Sequence, residues 1–382
     1  MHHQKMKFPS RNPSCFLSSS TTVIILLFII MIITSDQLAA SMNQQLERND
    51  TANPRSVPAM FVFGDSIVDP GNNNYIETLV KCNFPPYGRD FMGGNPTGRF
   101  TNGFVPSDLL AEGFGVKEIV PAYLDPNLQP QDLITGVSFA SGASGYDPLT
   151  SKITSTISMT EQLDLFKQSL TKIKAAVGEE QTANILSKSI FIVCTGSDDI
   201  ANTYFSTPFR RLHYDINSYT DLMSDAASSF LQELYGVGAR RIAVMSVPPI
   251  GCLPSQRTIS GGIARECSEP ANQAAQLFNS KFYSVIGCLN QKFRDSKIVF
   301  IDIYTPLLSL IQNPANYGFE VATKGCCGTG NIEVSILCTE LSNSKTCKDD
   351  TKYIFWDSYH PTEAAYKVLV TELLDKYKNC FF

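Results

Sequence analysis

Ala59-Met60-Phe61-Val62-Phe63-Gly64-Asp65-Ser66 decides how this chain is read. A short apolar run ends on a glycine and two small polar residues. Such a run suits a strand buried on both faces. Gly64 permits a sharp turn at its end, because it lacks the Cβ that bars most backbone conformations. Ser66 then stands at the carboxyl end of a strand. Further runs rich in Val, Ile and Phe follow at 136–140, 189–195, 241–247 and 297–303. Longer helical candidates lie between and after them, at 160–176, 218–235, 269–293 and 362–377. This alternation predicts an α/β fold: a three-layer α/β/α, doubly wound parallel sheet with right-handed crossovers. Ligands in such sheets bind beyond the carboxyl ends of the strands. A catalytic residue is therefore expected just after a strand, where Ser66 is.

The ends of the chain carry a different message. Lys5, Lys7 and Arg11 precede an uninterrupted apolar run at 23–33, and small residues follow at Ala39, Ala40 and Ser41. The pattern is that of a signal peptide over 1–40, removed on secretion to the extracellular space. The run is short of the roughly 20 apolar residues of a stable membrane span. Residues 41–57 read as a polar, disordered lead-in, and 58–382 as a single domain. The net charge of -5 shows no basic stripe, which argues against nucleic acid as a partner. Eleven cysteines include Cys15 in the leader, so ten remain. In an oxidising compartment the expectation is disulfides. Cys252 and Cys267 flank a polar loop that they could bridge. Cys326, Cys327, Cys338 and Cys347 cluster in a second loop, and the adjacent pair is expected to take different partners. Without a Cys-x-x-Cys pair, a metal site is the weaker reading. Asn49-Asp50-Thr51 is a glycosylation sequon in the lead-in.

Four histidines occur, and two of them, His2 and His3, belong to the leader. A hydroxyl that must lose a proton near neutral pH usually needs a histidine. His213, beside Arg210 and Arg211, reads as a surface residue. His360 sits in Phe355-Trp356-Asp357-Ser358-Tyr359-His360-Pro361, with Asp357 close enough on a turn to reach one ring nitrogen. Pro361 suits a loop-to-helix junction. Trp356 is expected to pack beneath this turn.

These residues carry a family resemblance. Phe63-Gly64-Asp65-Ser66, followed by Asp69-x-Gly71-Asn72-Asn73, resembles the first block of plant GDSL esterase/lipases of the SGNH hydrolase superfamily. Gly98-Arg99-Phe100-Thr101-Asn102-Gly103 with Val105-Pro106-Ser107-Asp108 looks like the next signature. Phe139-Ala140-Ser141-Gly142-Ala143 resembles the second block, Gly196-Ser197-Asp198-Asp199-Ile200 the third, and Asp357-Ser358-Tyr359-His360 the last. Residues 122–126 and 199–205 are most similar to the extracellular-lipase branch. The resemblance implies an SGNH-hydrolase (flavodoxin-like) sheet and a carboxylic ester hydrolase without cofactor or metal. It implies Ser66 as nucleophile, His360 as base and Asp357 as its orienting carboxylate. The N–H groups of Ser66 and Gly142 would hold the oxyanion.

Asp198 departs from the pattern, which has an asparagine donor there. An ionised carboxylate only accepts hydrogen bonds, and a lost oxyanion donor costs about 10²–10³ in rate. Asp198 could be protonated through burial or through the adjacent Asp199, or Asn202 could substitute for it. The expected function is a secreted esterase or lipase acting on lipid, cutin-like or acetyl esters. An acyltransferase and a silent binding protein on the same fold are the alternatives.

Overall fold

The computed structural model describes residues 57–339 and 345–382. The expected leader, the cysteine within it, Asn49 and all of the lead-in but Val57 lie outside the described residues. Four strands, β1 (Met60–Gly64), β2 (Ile190–Cys194), β3 (Arg241–Met245) and β4 (Lys297–Ile301), form one sheet in that order. Every pairing is parallel. The seven α-helices of eight residues or more among the described residues are α1 (Pro106–Gly113), α2 (Met159–Val177), α3 (Glu179–Lys188), α4 (Ile216–Gly236), α5 (Glu269–Lys292), α6 (Tyr304–Gln312) and α7 (Glu363–Tyr377).

The alternation of a strand's side chains builds the layers. Met60 and Val62 point to one face, where they join Ile190, Ile192, Ala243 and Met245. Leu110 and Ala111 of α1 and Val370 and Leu373 of α7 close that side. Phe61 and Phe63 point to the other face. There the Phe166 ring of α2 lies 5.2 Å from Phe61 and 5.5 Å from Phe63, and Phe230 of α4 lies 5.5 Å from Phe63. The result is the expected three-layer α/β/α arrangement.

The expected strand at 136–140 takes a reduced form. It runs parallel beside β1, with Val62 N–H donating to Val137 O at 3.1 Å and Phe139 N–H to Val62 O at 2.8 Å. It is nevertheless an isolated bridge rather than a regular strand. On its outer side only Pro121 and Tyr123 pair with it, through Ser138. The Ala140 N–H, which a wider sheet would use, donates to the Ser138 hydroxyl at 3.2 Å. Counting this segment, the strand order in chain sequence is 2-1-3-4-5, the flavodoxin-like order, with its switch point between β1 and β2.

A second feature escapes the sequence pattern. Val321–Gly325 (β5) and Tyr353–Phe355 (β6) make a small parallel pair that leads directly into Trp356 and Asp357. Disulfides staple its surroundings: Cys326–Cys347 and Cys327–Cys338, with Cys252–Cys267 elsewhere. Adjacent Cys326 and Cys327 do take different partners. Disulfides take only part of the ten cysteines, since Cys82, Cys194, Cys288 and Cys380 are free thiols. Cys194 ends β2 and packs as a small apolar residue in the core.

Phe166 is fully buried and also meets Phe139 and Phe191, at 5.6 and 5.7 Å. Phe166→Ala is expected to lower unfolding free energy by about 3–5 kcal/mol in denaturant titrations with disulfides intact. A change below about 1 kcal/mol would show that this aromatic layer is not the core.

Candidate active site

Gly64 holds φ +146°, and a Cβ there would lie 1.9 Å from the Cys194 carbonyl oxygen. Only glycine lets β1 end this close to β2. Asp65 N–H then donates to that same carbonyl at 3.0 Å, and Asp65 Oδ1 accepts the Ile67 N–H at 3.0 Å. The turn leaves Ser66 at the carboxyl edge of the sheet, 8% exposed. Its N–H has no hydrogen-bond partner among the described residues.

His360 reaches it from the other end of the chain. His360 Nε2 lies 2.7 Å from Ser66 Oγ. His360 Nδ1 lies 2.9 and 3.0 Å from the two oxygens of Asp357. The three-residue spacing has a structural cause. Asp357 Oδ1 also accepts the N–H groups of Tyr359 and His360, at 2.8 and 2.7 Å. One carboxylate thus orders both the turn and the ring. Pro361 is not the first helical residue. It pairs with Phe355 across the turn, and Thr362 caps α7 by accepting the Ala365 N–H at 3.2 Å.

Tyr87, which the sequence does not single out, and residues of the Gly98-to-Gly103 signature brace this turn. The Tyr87 hydroxyl donates to Asp357 Oδ2 at 2.8 Å and accepts the Ser335 N–H at 2.8 Å. The Phe100 ring lies 5.3 Å from the His360 ring. Thr101 Oγ donates to the Pro361 carbonyl at 2.9 Å, and Asn102 Oδ1 accepts the Glu363 N–H at 2.9 Å. The Gly98-to-Gly103 motif therefore serves His360. Trp356 is fully buried, with its ring 6.2 Å from that of Tyr87. His213 is exposed.

The polar turn after Ser66 has a comparable task. Asp69 Oδ1 accepts the Gly71 and Asn72 N–H groups at 2.7 Å, and Oδ2 accepts the Gly142 N–H at 2.9 Å. Asn72 Nδ2 donates to the Ser138 and Ala140 carbonyls, and Asn73 Nδ2 to that of Gly142. These bonds pin the segment beside β1. They also correct the expectation for Gly142, whose N–H is committed to Asp69 and so is not aimed at substrate. A Cβ at Gly142 would lie 2.4 Å from Phe100 Cζ, so the glycine makes room for the ring that backs His360. The next N–H, that of Ala143, has no partner among the described residues. Ala143 holds φ +64°, a conformation that costs a non-glycine residue energy.

Asp198 follows β2 and lines the same cleft as Ser66 and His360. It opens a π-helical turn, Asp199–Ser206, a distortion common at functional sites. Asn202 Nδ2 donates to Asp198 Oδ1 at 2.6 Å, and the Tyr359 hydroxyl donates to Asn202 Oδ1 at 2.7 Å. Asn202 is thus bound to Asp198 rather than standing in for it. Asp198 Oδ2 has no hydrogen-bond partner among the described residues. Burial pushes the Asp198 carboxyl up to about 6, against the pull of His360 and the Asn202 bond. Burial likewise raises Asp69 to about 6 and Asp199 to about 7, the latter despite bonds from Thr150, Tyr146 and Asp147. Asp65 is raised as well, by burial and then by Asp198, and its Oδ2 has no hydrogen-bond partner among the described residues.

A serine, a histidine and a carboxylate in hydrogen-bonded series, each just beyond a strand or turn, agree with one family profile. GDSL-like Lipase/Acylhydrolase matches residues 60–373. The chain belongs to that family. It is accordingly a carboxylic ester hydrolase by class. Among relatives of this GDSL hydrolase, GDSL esterase/lipase EXL3 of Arabidopsis thaliana is 56% identical over 325 residues, covering 85% of this chain and 89% of the relative. GDSL esterase/lipase At3g14820 of the same plant is 51% identical, covering 85% and 91%. A catalytic mutant of an acetylxylan esterase from Geobacillus stearothermophilus aligns with TM-score 0.39 and 14% identity over 84% of this chain and 94% of that one.

Tyr87→Phe removes one donor from Asp357 and little volume. Because Asp357 loses a donor that orients it, kcat is expected to fall at least about tenfold with KM nearly unchanged, and because the Ser335 N–H is left without its acceptor, stability is expected to fall by about 1–3 kcal/mol. Unaltered kcat would mean that Asp357 is held sufficiently by the turn alone.

Proposed function

We propose that the chain is a secreted esterase or lipase that works through an acyl-enzyme on Ser66. The observation that supports this reading is the unbroken series from Asp357 through His360 to Ser66, with 2.7 Å at its last step. His360 Nε2 takes the Ser66 hydroxyl proton as Oγ attacks the ester carbonyl carbon. The carbonyl oxygen becomes an oxyanion, which the N–H groups of Ser66 and Ala143 hold. Collapse breaks the bond to the leaving alcohol, whose oxygen receives the proton from His360. Water then attacks the acyl-enzyme, giving its proton to His360, and the acid leaves as Ser66 regains the proton. Asp357 keeps the ring oriented and stabilises the imidazolium in both halves.

Asp198 is the third oxyanion donor in its neutral form. With Oδ1 occupied by Asn202, its acidic proton sits on Oδ2. The carboxyl is raised from its ordinary 3.8 to about 6, so the donor is present below about pH 6 and lost as pH rises through it. The ionised form then repels the oxyanion. Secretion is supported by the basic and apolar leader pattern and by three disulfides in the described residues. Asn49 is the proposed glycosylation site. Among the described residues no helix is long and apolar enough to cross a membrane.

The test is hydrolysis of p-nitrophenyl esters from pH 5 to pH 8 by wild type, Ser66→Ala and Asp198→Asn. Ser66→Ala is expected to lose activity by about 10³-fold or more. The ratio of Asp198→Asn to wild-type kcat is expected to climb across pH 6, reaching about tenfold or more at pH 8. A ratio independent of pH removes Asp198 from the oxyanion site. Full activity in Ser66→Ala overturns the mechanism.

A further inference from the structure

A relay of side chains joins the turn that carries His360 to the carboxyl of Asp198. The Tyr359 hydroxyl donates to Asn202 Oδ1 at 2.7 Å, and Asn202 Nδ2 donates to Asp198 Oδ1 at 2.6 Å. The first link spans 157 residues of sequence. Both ends are anchored. Tyr359 N–H donates to Asp357 Oδ1 at 2.8 Å, in the same turn that delivers His360. Asn202 lies in the π-helical segment after Asp198. The Asp199 carboxylate holds that segment by accepting the Tyr146 and Asp147 N–H groups and the Thr150 hydroxyl, at 2.8, 3.1 and 2.5 Å. Thr150 Oγ also lies 2.8 Å from the hydroxyl of Thr203, the neighbour of Asn202 in the chain. Asp198 and Tyr359 line the cleft together with Ser66 and His360.

We propose that Tyr359 and Asn202 are positioning residues, whose relay turns the Asp198 carboxyl so that its hydroxyl end faces the oxyanion. This rests on the ester-hydrolase reading, with Asp198 as a neutral donor, and deepens it. An amide has its donor fixed on nitrogen, but a neutral carboxyl can carry its proton on either oxygen. Only the oxygen that faces the cleft can donate to an oxyanion. The relay removes the choice. The Asn202 amide has one end that donates and one that accepts, the Tyr359 hydroxyl can do either, and an ionised Asp198 can only accept. The arrangement with Nδ2 toward Asp198 is therefore the one that serves both charge states of Asp198. Oδ1 is then an acceptor in both, and the proton takes its place on Oδ2. His360 and Asp65 are the charged groups that face Asp198, and neither hydrogen-bonds it among the described residues, so its orientation falls to Asn202. Without the Tyr359 bond, the Asn202 amide is free to turn, accept a proton held on Asp198 Oδ1 and so withdraw the donor from the oxyanion. Asp357 thus positions the base directly and the oxyanion donor through two intervening side chains.

The experiment measures kcat and KM of the full secreted protein on p-nitrophenyl butyrate at about pH 5.5, where Asp198 is neutral. Wild type is compared with Tyr359→Phe, Asn202→Leu and the double variant, and each single change is repeated in an Asp198→Ala background. Each single change is expected to lower kcat about tenfold, with KM within about twofold of wild type. The double variant is expected to match Asn202→Leu within about twofold, because both changes break one relay. In the Asp198→Ala background each change is expected to cost less than about twofold, since the group that the relay positions is gone. A role in folding or in orienting His360 does not vanish with Asp198. Asn202→Leu enters the relay at a different link, so a misfolded Tyr359→Phe still leaves one complete comparison. Unchanged kcat in both single variants overturns the relay. So do losses that multiply in the double variant, or a tenfold loss that persists without Asp198. Inactivity of wild type on this and longer p-nitrophenyl esters overturns the hydrolase reading beneath it, a distinct result.

Discussion

The hydrogen bond between Ser66 Oγ and His360 Nε2 joins residues 294 apart in sequence, and most of the unusual local structure exists to permit it. Ser66 is delivered by β1, whose closeness to β2 requires Gly64. His360 is delivered by a turn that Asp357 folds around its own carboxylate. Two rigid supports meet from opposite ends of the chain with little tolerance, because a donor and acceptor displaced by even half an ångström lose much of the bond. The bracing residues are correspondingly buried: Tyr87 against Asp357, Phe100 against the imidazole, Thr101 and Asn102 against the strand-like return after His360.

The support has an electrostatic consequence. Asp65, Asp69, Asp198 and Asp199 are all buried within the first turns after β1 and β2. Asp69 and Asp199 hold loops by accepting backbone N–H groups, which is the task of an ionised carboxylate. Asp198 has a single amide partner and faces the cleft. Burial favours the neutral form of these acids, and neighbouring like charges add to it at Asp65 and Asp199. Burial of Asp69, Asp198 and Asp199 makes the folded state bind more protons than the unfolded chain, so stability declines as pH rises from about 4 through 6 or 7.

Much of this was legible in the residues. The runs that became β1 to β4 were visible because strands buried on both faces are continuous apolar stretches. α2, α4, α5 and α7 were visible through their length. With two histidines left outside the leader, His360 was nearly forced as the base. Other features leave no local trace. The segment beside β1 has strand-like composition but only a single-residue bridge on its outer side, and pairing is a property of neighbours rather than of sequence. β5 is too polar and β6 too short to announce themselves. Tyr87 is an ordinary aromatic until the fold sets its hydroxyl beside Asp357, 270 residues away. The family resemblance implies Gly142 as an oxyanion donor, where glycine permits close approach. It does so here for Phe100, while the Asp69 that takes its N–H lies 73 residues earlier.

The central claim is that His360 activates Ser66 by direct proton transfer, and covalent capture tests it with no assumption about substrate. A fluorophosphonate reacts with an activated serine, and intact-mass and peptide analysis locate the adduct. The account predicts one adduct, on Ser66, formed at least about 10³-fold more slowly in a folded His360→Gln variant. Labelling of Ser66 at an undiminished rate without His360, or of another residue in its place, would contradict it.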